Sequence, residues 1–234
     1  SIADELTASG LVDLIVGHHA HVVQPTSQVN GVWVMYGLGN VLSNLPTDKR
    51  WPINSQDAVI ATALQELFST PTFRVYTNPD VVGCEIAGVV KNVIAIAAGM
   101  AKGMGFGDNT RASLLTRGLA EMTRLAVALG GDPVSLAGLA GMGDLIATCS
   151  SQSSRNTSVG IRLGAGEALA DILGSTTMVA EGVRSSAIVL ELAQQYGVDM
   201  PITEQVVAVC HNGLSASEGL LALMSRRSRP EAKP

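Results

Sequence analysis

The sequence predicts a mainly helical protein in which a small α/β segment precedes an all-helical carboxyl-terminal domain. Three observations support this fold class. First, 47% of the residues are hydrophobic but only 3% are aromatic, so the core has to be built from Ala, Val, Leu, Ile and Met. Second, short β-branched runs occur near the amino terminus. Third, apolar residues at helical spacing fill most of the chain after Pro79.

Two runs near the amino terminus predict buried strands that lead into loops. The first is Val12–Val16, which is followed by Gly17-His18-His19-Ala20-His21. The second is Val32–Tyr36, which is followed by Gly37-Leu38-Gly39-Asn40. The polar stretch Asn44–Ser55, with its prolines, predicts a connection.

Three parts of the chain are expected: residues 1–57, residues 58–80, and an all-helical domain over residues 81–234. In the middle part, Ala58–Phe68 predicts a helix and Phe73–Thr77 a strand. In the last part, glycine and proline breaks separate long helical patterns. These patterns run over Val82–Met100, Thr110–Leu129, Pro133–Leu139, Ser154–Leu163, Ala165–Leu173, Val183–Tyr196, Ile202–His211 and Ala216–Met224.

Composition limits the kinds of molecule that this protein is expected to bind and the cellular compartment in which it is expected to occur. The net charge of −5 argues against nucleic acid as a partner, and it still allows a small phosphate site that needs only a few local donors. Three widely spaced cysteines without a CxxC pair predict neither a disulfide framework nor a zinc site, and they fit a reducing cytoplasm. The apolar stretch Ile86–Met100 is about 15 residues long, short of the roughly 20 that a membrane span requires. It therefore predicts a buried helix.

Lys91 is the first candidate for a functional residue. The chain has only four lysines, and this one lies among apolar residues on every side of a predicted helix. Burying an ammonium without a partner is costly, so an anionic group is expected to face it. A lysine that extends to the rim of the domain would explain the pattern equally well.

Two glycine-containing stretches need separate interpretations. Gly103–Asn109 resembles a nucleotide-binding loop, but a predicted helix precedes it and the third glycine of GxGxxG is absent, which favours a tight inter-helix loop. In the second stretch, Asp144 and Thr148 place a carboxylate and a hydroxyl one helical turn apart, an arrangement suited to binding substrate hydroxyls. Taken alone, an aspartate in this position is more often only a helix cap.

The stretch from Ser150 to Asn156 is the best candidate for an anion site. It places Ser153, Ser154, Arg155 and Asn156 at the start of a predicted helix. Free N–H groups and the helix dipole favour a phosphate there, and a guanidinium can bind it with two hydrogen bonds. An ordinary helix cap beside a surface arginine is the alternative. Together with Lys91 and Asp144, the stretch describes a pocket for a small polyol phosphate.

Eight stretches carry a more specific resemblance. They are Asn78–Gly83, Glu85–Met100, Gly105–Thr110, Thr116–Met122, Leu139–Leu145, Ser154–Asn156, Val179–Gly182 and Met200–Glu204. In order and spacing, from about Leu64 to the end, they resemble the bacterial NAD(P)-dependent glycerol-3-phosphate dehydrogenases. The resemblance implies a helical substrate domain of the 6-phosphogluconate-dehydrogenase-like type. Only Ala63–Pro79 is similar to the nucleotide-binding Rossmann half of that family, and it corresponds to the last helix and strand of that half.

The resemblance implies roles for individual residues. Lys91 would be the catalytic base that takes the hydroxyl proton of sn-glycerol 3-phosphate, or returns it to the carbonyl of dihydroxyacetone phosphate. The implied ligands of the substrate are Lys91, Asn92, Asp144, Thr148, Ser154, Arg155 and Asn156, and those of the cofactor are Arg155, Val179 and Glu181. The cofactor would be NAD or NADP, since the residues that decide between them belong to the missing part of the Rossmann half. The family also implies phospholipid synthesis, a cytoplasmic location and the possibility of a homodimer.

The amino-terminal segment resembles a different family. Val12–Pro25 and Tyr36–Leu42 are similar to the carboxyl-terminal end of capsule-synthesis proteins of the poly-γ-glutamate type, which have a metallophosphatase fold. There His19 and His21 would be metal ligands, a role that imidazole suits. Two histidines are too few for a dinuclear centre, which favours a vestigial site.

The chain is therefore interpreted as a metallophosphatase remnant fused to a truncated glycerol-3-phosphate dehydrogenase, which is expected to be inactive by itself. Two alternatives belong to other functional classes. One is a non-catalytic helical assembly module, and the other is a metal-dependent phosphoesterase. The missing metal ligands argue against the latter.

Overall fold

The structure, a computed structural model, describes residues 8, 14–16, 26–30, 32–35, 64–151, 153–175 and 180–225. The chain divides into two units, Ser1–Val81 and Val82–Pro234. Each unit has its own internal packing.

The described residues of the first unit form a three-stranded sheet. Its strands are β1 (Leu14–Val16), β2 (Thr26–Val29) and β3 (Val32–Met35), in the order β1-β3-β2. β1 runs parallel to β3 with Ile15 opposite Val34, while β2 and β3 are antiparallel. The two predicted strands are thus confirmed at the residues that the structure describes. β2 was not predicted, although Asn30 at the hairpin has the positive φ of 52° that an Asn-Gly turn favours.

The segment before the second unit is helical at residues 64–68, within the predicted helix, but the predicted strand at Phe73–Thr77 is wrong. A strand needs a neighbouring strand to pair its backbone groups. Here those groups bond locally instead. Phe73 pairs with Thr70 through both its N–H and its carbonyl oxygen. The N–H of Val75 donates to Ser69 Oγ at 3.3 Å, and its carbonyl accepts from Gln65 Nε2 at 2.9 Å.

The described part of the second unit is all-helical, as predicted. The helices are α1 (Val81–Gly103), α2 (Asp108–Ala128), α3 (Pro133–Ala137), α4 (Asp144–Ser150), α5 (Arg155–Gly164), α6 (Leu169–Gly174), α7 (Glu181–Gln195), α8 (Pro201–His211) and α9 (Ala216–Met224). A π-helical turn, Leu139–Gly143, joins α3 to α4 and was not predicted. α6 begins four residues later than predicted, because Gly166 (φ 91°) ends the preceding turn first.

α1 is the central helix of this unit. Every residue from Val93 to Ala101 is buried, whereas a helix at the surface would bury only one face. α1 is long and apolar enough to cross a bilayer, but half of its most apolar stretch is covered by the rest of the unit. That coverage is typical of a core helix.

α1 and α5 touch backbone to backbone through paired glycines. A Cβ placed on Gly99 would overlap the carbonyl oxygen of Thr157 and lie 2.9 Å from the Cα of Gly160. The next pair, Gly103 and Gly164, is equally close to the opposite backbone. Side chains cannot separate helices that meet at glycines. The contact therefore fixes how α1, which carries Lys91, lies against α5.

Gly160→Ala is expected to destabilise the chain by at least about 2 kcal/mol, because overpacking against atoms that cannot move aside outweighs the gain of about 1 kcal/mol in helix propensity. The new Cβ would overlap the backbone oxygen of Ile96. Gly88→Ala on α1 is the matched control, since its Cβ would meet nothing within 4 Å. Denaturant unfolding of both variants is the measurement. Equal stability of Gly160→Ala and the wild type would contradict the packing described here.

A buried carboxylate joins α2 to the start of α8. Glu121 is 1% exposed and accepts hydrogen bonds from the N–H groups of Ile202 (2.6 Å) and Thr203 (3.2 Å) and from the Thr203 hydroxyl (3.1 Å). Burial raises the pKa of Glu121 from 4.5 to about 7, although these donors and the charge of Arg124 act in the opposite direction. Glu121 thus caps α8 from another helix, because the N-cap residue of α8, Met200, makes no capping hydrogen bond with its own side chain.

This raised pKa predicts a pH dependence of stability. The folded state holds the Glu121 proton more tightly than the unfolded chain does. The contribution of this protonation to the free energy of unfolding is therefore complete below pH 4.5 and is lost as the pH rises to about 7. The loss should be on the order of 3 kcal/mol. We expect the stability advantage of the wild type over Glu121→Gln to shrink over this range in unfolding experiments at pH 4.5 and 8. An advantage that grows with pH would show that the donors dominate over burial.

Candidate active site

Lys91 pairs with Asp144. The ammonium, on α1, donates to Asp144 Oδ2 at the start of α4, and the side chains are 22% and 41% exposed. The other oxygen, Asp144 Oδ1, accepts from the Thr148 hydroxyl at 3.2 Å. Asp144 supplies the anionic group that the surroundings of Lys91 require. The pair is open to solvent on one side, so a ligand can reach it.

The start of α5 lies beside this pair. Ser154 is the N-cap of α5, and its Oγ accepts from the N–H of Thr157 at 3.3 Å. The Thr157 hydroxyl donates to the carbonyl of Thr148 at 3.0 Å, which ties α5 to α4. Arg155 is exposed and makes no hydrogen bond or ion pair with the described part of the chain. Its guanidinium is therefore available to an anion.

Asn92 and Asn156 connect α1 and α5 directly. Asn156 Nδ2 donates to Asn92 Oδ1 at 3.0 Å, and Asn156 Oδ1 accepts from the N–H of Gly182 at 2.9 Å. Asn92 Nδ2 donates to the carbonyl of Gly88 at 3.3 Å. The contact ties the part of α1 that carries Lys91 to the first turn of α5, which carries Arg155. The two amides predicted to bind substrate thus already have partners within the protein.

The structure describes only one of the remaining predicted site residues. Glu181 is the exposed first residue of α7, next to Gly182. Val179, His19 and His21 lie outside the described residues. Within the ranges that the structure does describe, no group of three or more His, Cys, Asp or Glu side chains could hold a metal ion.

This geometry supports proton transfer beside an anion. An amine and a carboxylate share a half-buried position, which suits a site that exchanges a proton with a substrate hydroxyl. The start of α5, with its free N–H groups, its dipole and Arg155, suits a phosphate. Burial raises the pKa of the Cys149 thiol to about 12 and that of the Cys210 thiol to about 11, which disfavours the nucleophilic thiolate at both positions.

Comparison with protein families identifies both segments. Residues 80–220 match the family described as NAD-dependent glycerol-3-phosphate dehydrogenase C-terminus. The chain belongs to this family. Residues 1–45 match a second family, the bacterial capsule synthesis protein PGA_cap. Both resemblances seen in the sequence are confirmed.

Individual glycerol-3-phosphate dehydrogenases agree with this assignment. The glycerol-3-phosphate dehydrogenase (NAD(P)+) of Thermobifida fusca is 58% identical over 175 residues, which cover 75% of this chain and 52% of the relative. That of Geobacter sulfurreducens is 55% identical over 177 residues, covering 76% and 53%. The chain spans about half the length of the curated relatives it matches.

Solved structures confirm the predicted fold class. The crystal structure of glycerol-3-phosphate dehydrogenase from Coxiella burnetii is similar with a TM-score of 0.69 and 39% identity, covering 72% of this chain and 52% of that one. The DsGPDH structure of Dunaliella salina has a TM-score of 0.61 and 26% identity, covering 75% and 32%.

Two residues of the site carried little sequence signal. Thr157, which ties α5 to α4, follows the predicted anion-binding stretch and was not singled out. Gly182 appeared only within a stretch of family resemblance. A usable signal was the start of α7, where Ala180 at the N-cap has no side chain that can accept a hydrogen bond from the first N–H groups of the helix.

Proposed function

We propose that residues 64–234 are the substrate-binding and proton-transferring part of an NAD(P)-dependent glycerol-3-phosphate dehydrogenase, which interconverts sn-glycerol 3-phosphate and dihydroxyacetone phosphate for phospholipid synthesis. The observation that carries this is the half-buried pair of Lys91 and Asp144 beside a helix start with an available Arg155. We further propose a cytoplasmic protein, with the small phosphate substrate and, as a homodimer, a second copy of the chain as partners.

The proposed roles follow from the contacts. Lys91 in its neutral form takes the proton from the substrate hydroxyl, and as an ammonium it returns a proton to the carbonyl oxygen. Asp144 holds the ammonium in place and is itself oriented by Thr148. Ser154 and Arg155, at the start of α5, bind the phosphate.

A dinucleotide fits the described residues only at its edge. Arg155 and Glu181 are both exposed and could contact it, but one guanidinium and one carboxylate cannot enclose a molecule of that size. When bound, the nicotinamide supplies or accepts the hydride. We propose that NAD or NADP is held mainly by a region of the relatives that this chain does not span, with Val179 as a further contact.

For residues 1–57 we propose a metallophosphatase-like segment joined to the dehydrogenase part. The match over residues 1–45 supports this. His19 and His21 would be vestigial ligands, since two imidazoles cannot hold a dinuclear centre. Elemental analysis of the purified chain is expected to show no stoichiometric metal, and one bound ion per chain would count against a vestigial site.

The phosphate role predicts which variant loses affinity. We expect Arg155→Ala to weaken binding of sn-glycerol 3-phosphate by about tenfold or more, the usual value of a charged hydrogen bond. Lys91→Ala should weaken it less, because Lys91 meets a neutral hydroxyl in the ground state. Calorimetric titration of the full chain measures both.

Arg117→Ala, at an exposed position on α2, is the matched control. A larger loss of affinity for Lys91→Ala than for Arg155→Ala would overturn this division of roles. Complete absence of binding by the folded wild-type chain would favour a non-catalytic assembly module instead.

A further inference from the structure

The last residue of α8 is hydrogen-bonded to the beginning of α7. His211 Nε2 lies 2.9 Å from the carbonyl oxygen of Val183 and 3.1 Å from Ser186 Oγ. The Ser186 hydroxyl donates to the same carbonyl oxygen at 2.9 Å. We call His211, Ser186 and the Val183 carbonyl the α7–α8 junction.

The partners in the α7–α8 junction determine which ring nitrogen of His211 carries a proton. A carbonyl oxygen can only accept, so Nε2 has to be protonated in order to bond to Val183. The Ser186 hydroxyl gives its own proton to Val183, which leaves its oxygen able to accept from the same Nε2–H. Ser186 is 0% exposed, so its hydroxyl depends on these partners within the protein. The junction therefore requires a donor at the position of Nε2.

The beginning of α7 receives no such support from its own N-cap. The N-cap residue is Ala180, and it makes no side-chain hydrogen bond to the helix. Val183 lies in the first turn of α7, two residues after Glu181. Because a helical turn spans 3.6 residues, a bond to the Val183 carbonyl restricts the direction in which the whole first turn begins, including Glu181.

α8 is anchored at its other end as well. The Glu121 carboxylate on α2 accepts from the N–H groups of Ile202 and Thr203 in the first turn of α8. α8 has 11 residues, which corresponds to a length of about 16 Å. A short helix that is held by α2 in its first turn and bonded to α7 by its last residue connects the beginning of α7 to the core of the unit.

We propose that His211 is a positioning residue for the proposed cofactor contact at Glu181. Its Nε2–H orders the first turn of α7 and so directs Glu181, while the imidazole itself touches neither substrate nor cofactor. The consequence for the cofactor rests on the proposed function, whereas the junction rests on the observed hydrogen bonds.

The protonation of the His211 ring is the first test. In NMR spectra of the full chain, the ¹⁵N resonances of a neutral His211 ring are expected to show the proton on Nε2. A neutral ring that carries its proton on Nδ1 could not donate to Val183, and it would overturn the proposal.

Two substitutions of His211 separate the donor from the bulk of the side chain. Glutamine can place an amide N–H near the position of the imidazole Nε2, whereas leucine offers bulk without a donor. The N–H of Ala187 is the α-helical partner of the Val183 carbonyl. Its hydrogen exchange should be about fivefold faster in His211→Leu and within about twofold of the wild type in His211→Gln. Asn212→Leu, at the exposed next position, controls for an added apolar side chain.

Titration of the full chain with NADH, followed by NMR at the N–H of Glu181, measures the consequence for the cofactor. His211→Leu should weaken binding seen at Glu181 by about fivefold, while His211→Gln and Asn212→Leu stay within about twofold of the wild type. An equal loss in His211→Gln and His211→Leu would make the imidazole itself a ligand. Wild-type binding by His211→Leu would leave it no positioning role. Either result overturns the proposal.

Two further outcomes are also decisive. If His211→Leu does not fold, His211→Asn takes its place, since its shorter side chain cannot put a donor at the position of Nε2, and an unchanged exchange rate at Ala187 overturns the proposal. If NADH leaves Glu181 of the wild-type chain unperturbed, the proposed cofactor contact fails. The exchange rates at Ala187 then decide alone whether His211 orders the beginning of α7.

Discussion

Lys91→Ala is expected to lower kcat by about a hundredfold or more, the usual effect of removing a positioned general base. Turnover is best measured in a chimera in which residues 64–234 replace the matching half of the Thermobifida fusca relative, which is 58% identical there. In the proposed function Lys91 holds the proton that the substrate oxygen must gain or lose, and its hydrogen-bonded partners Asp144 and Thr148 fix its position.

The matched control for this variant is Lys102→Ala. Lys102 lies in the last turn of the same helix, α1, and forms no part of the site. It should retain kcat within about twofold, since surface substitutions away from a site have small effects. A Lys91→Ala chimera that kept nearly full kcat would mean that another group transfers the proton.

The 234-residue chain by itself is expected to oxidise NADH with dihydroxyacetone phosphate far more slowly than an intact relative. Holding cofactor and substrate in contact accounts for many orders of magnitude of rate, and among the described residues only Arg155 and Glu181 are proposed to contact a dinucleotide. The measurement is NADH oxidation by the purified chain beside the Geobacter sulfurreducens enzyme. Turnover within tenfold of that enzyme would show that the amino-terminal segment replaces the Rossmann half.

Local sequence signals predicted the helical fold and part of the site. Glycine and proline breaks located the helix ends because they act on the backbone where they occur. Lys91 predicted an anionic partner because of its apolar surroundings. The sequence pattern could not show that this partner is Asp144, 53 residues further on, because pairing at that distance is decided by how the helices pack.

The failures share the same cause. Phe73–Thr77 has the composition of a strand, but no described strand lies beside it and its backbone bonds locally. The pairing of Asn92 with Asn156 across α1 and α5 was missed for the same reason, while their role as substrate ligands stays a prediction. By contrast β2 was missed despite a usable signal, the Asn30-Gly31 turn, because its residues are mostly polar.

The central claim is that this helical unit supplies the substrate site and the proton of a glycerol-3-phosphate dehydrogenase. The most direct test is the turnover of the unmutated chimera, measured as NADH oxidation with dihydroxyacetone phosphate. We predict turnover within about tenfold of the intact Thermobifida fusca enzyme, because the positioning of the reacting groups is retained. A chimera that folds and binds NADH but shows no turnover would contradict the claim.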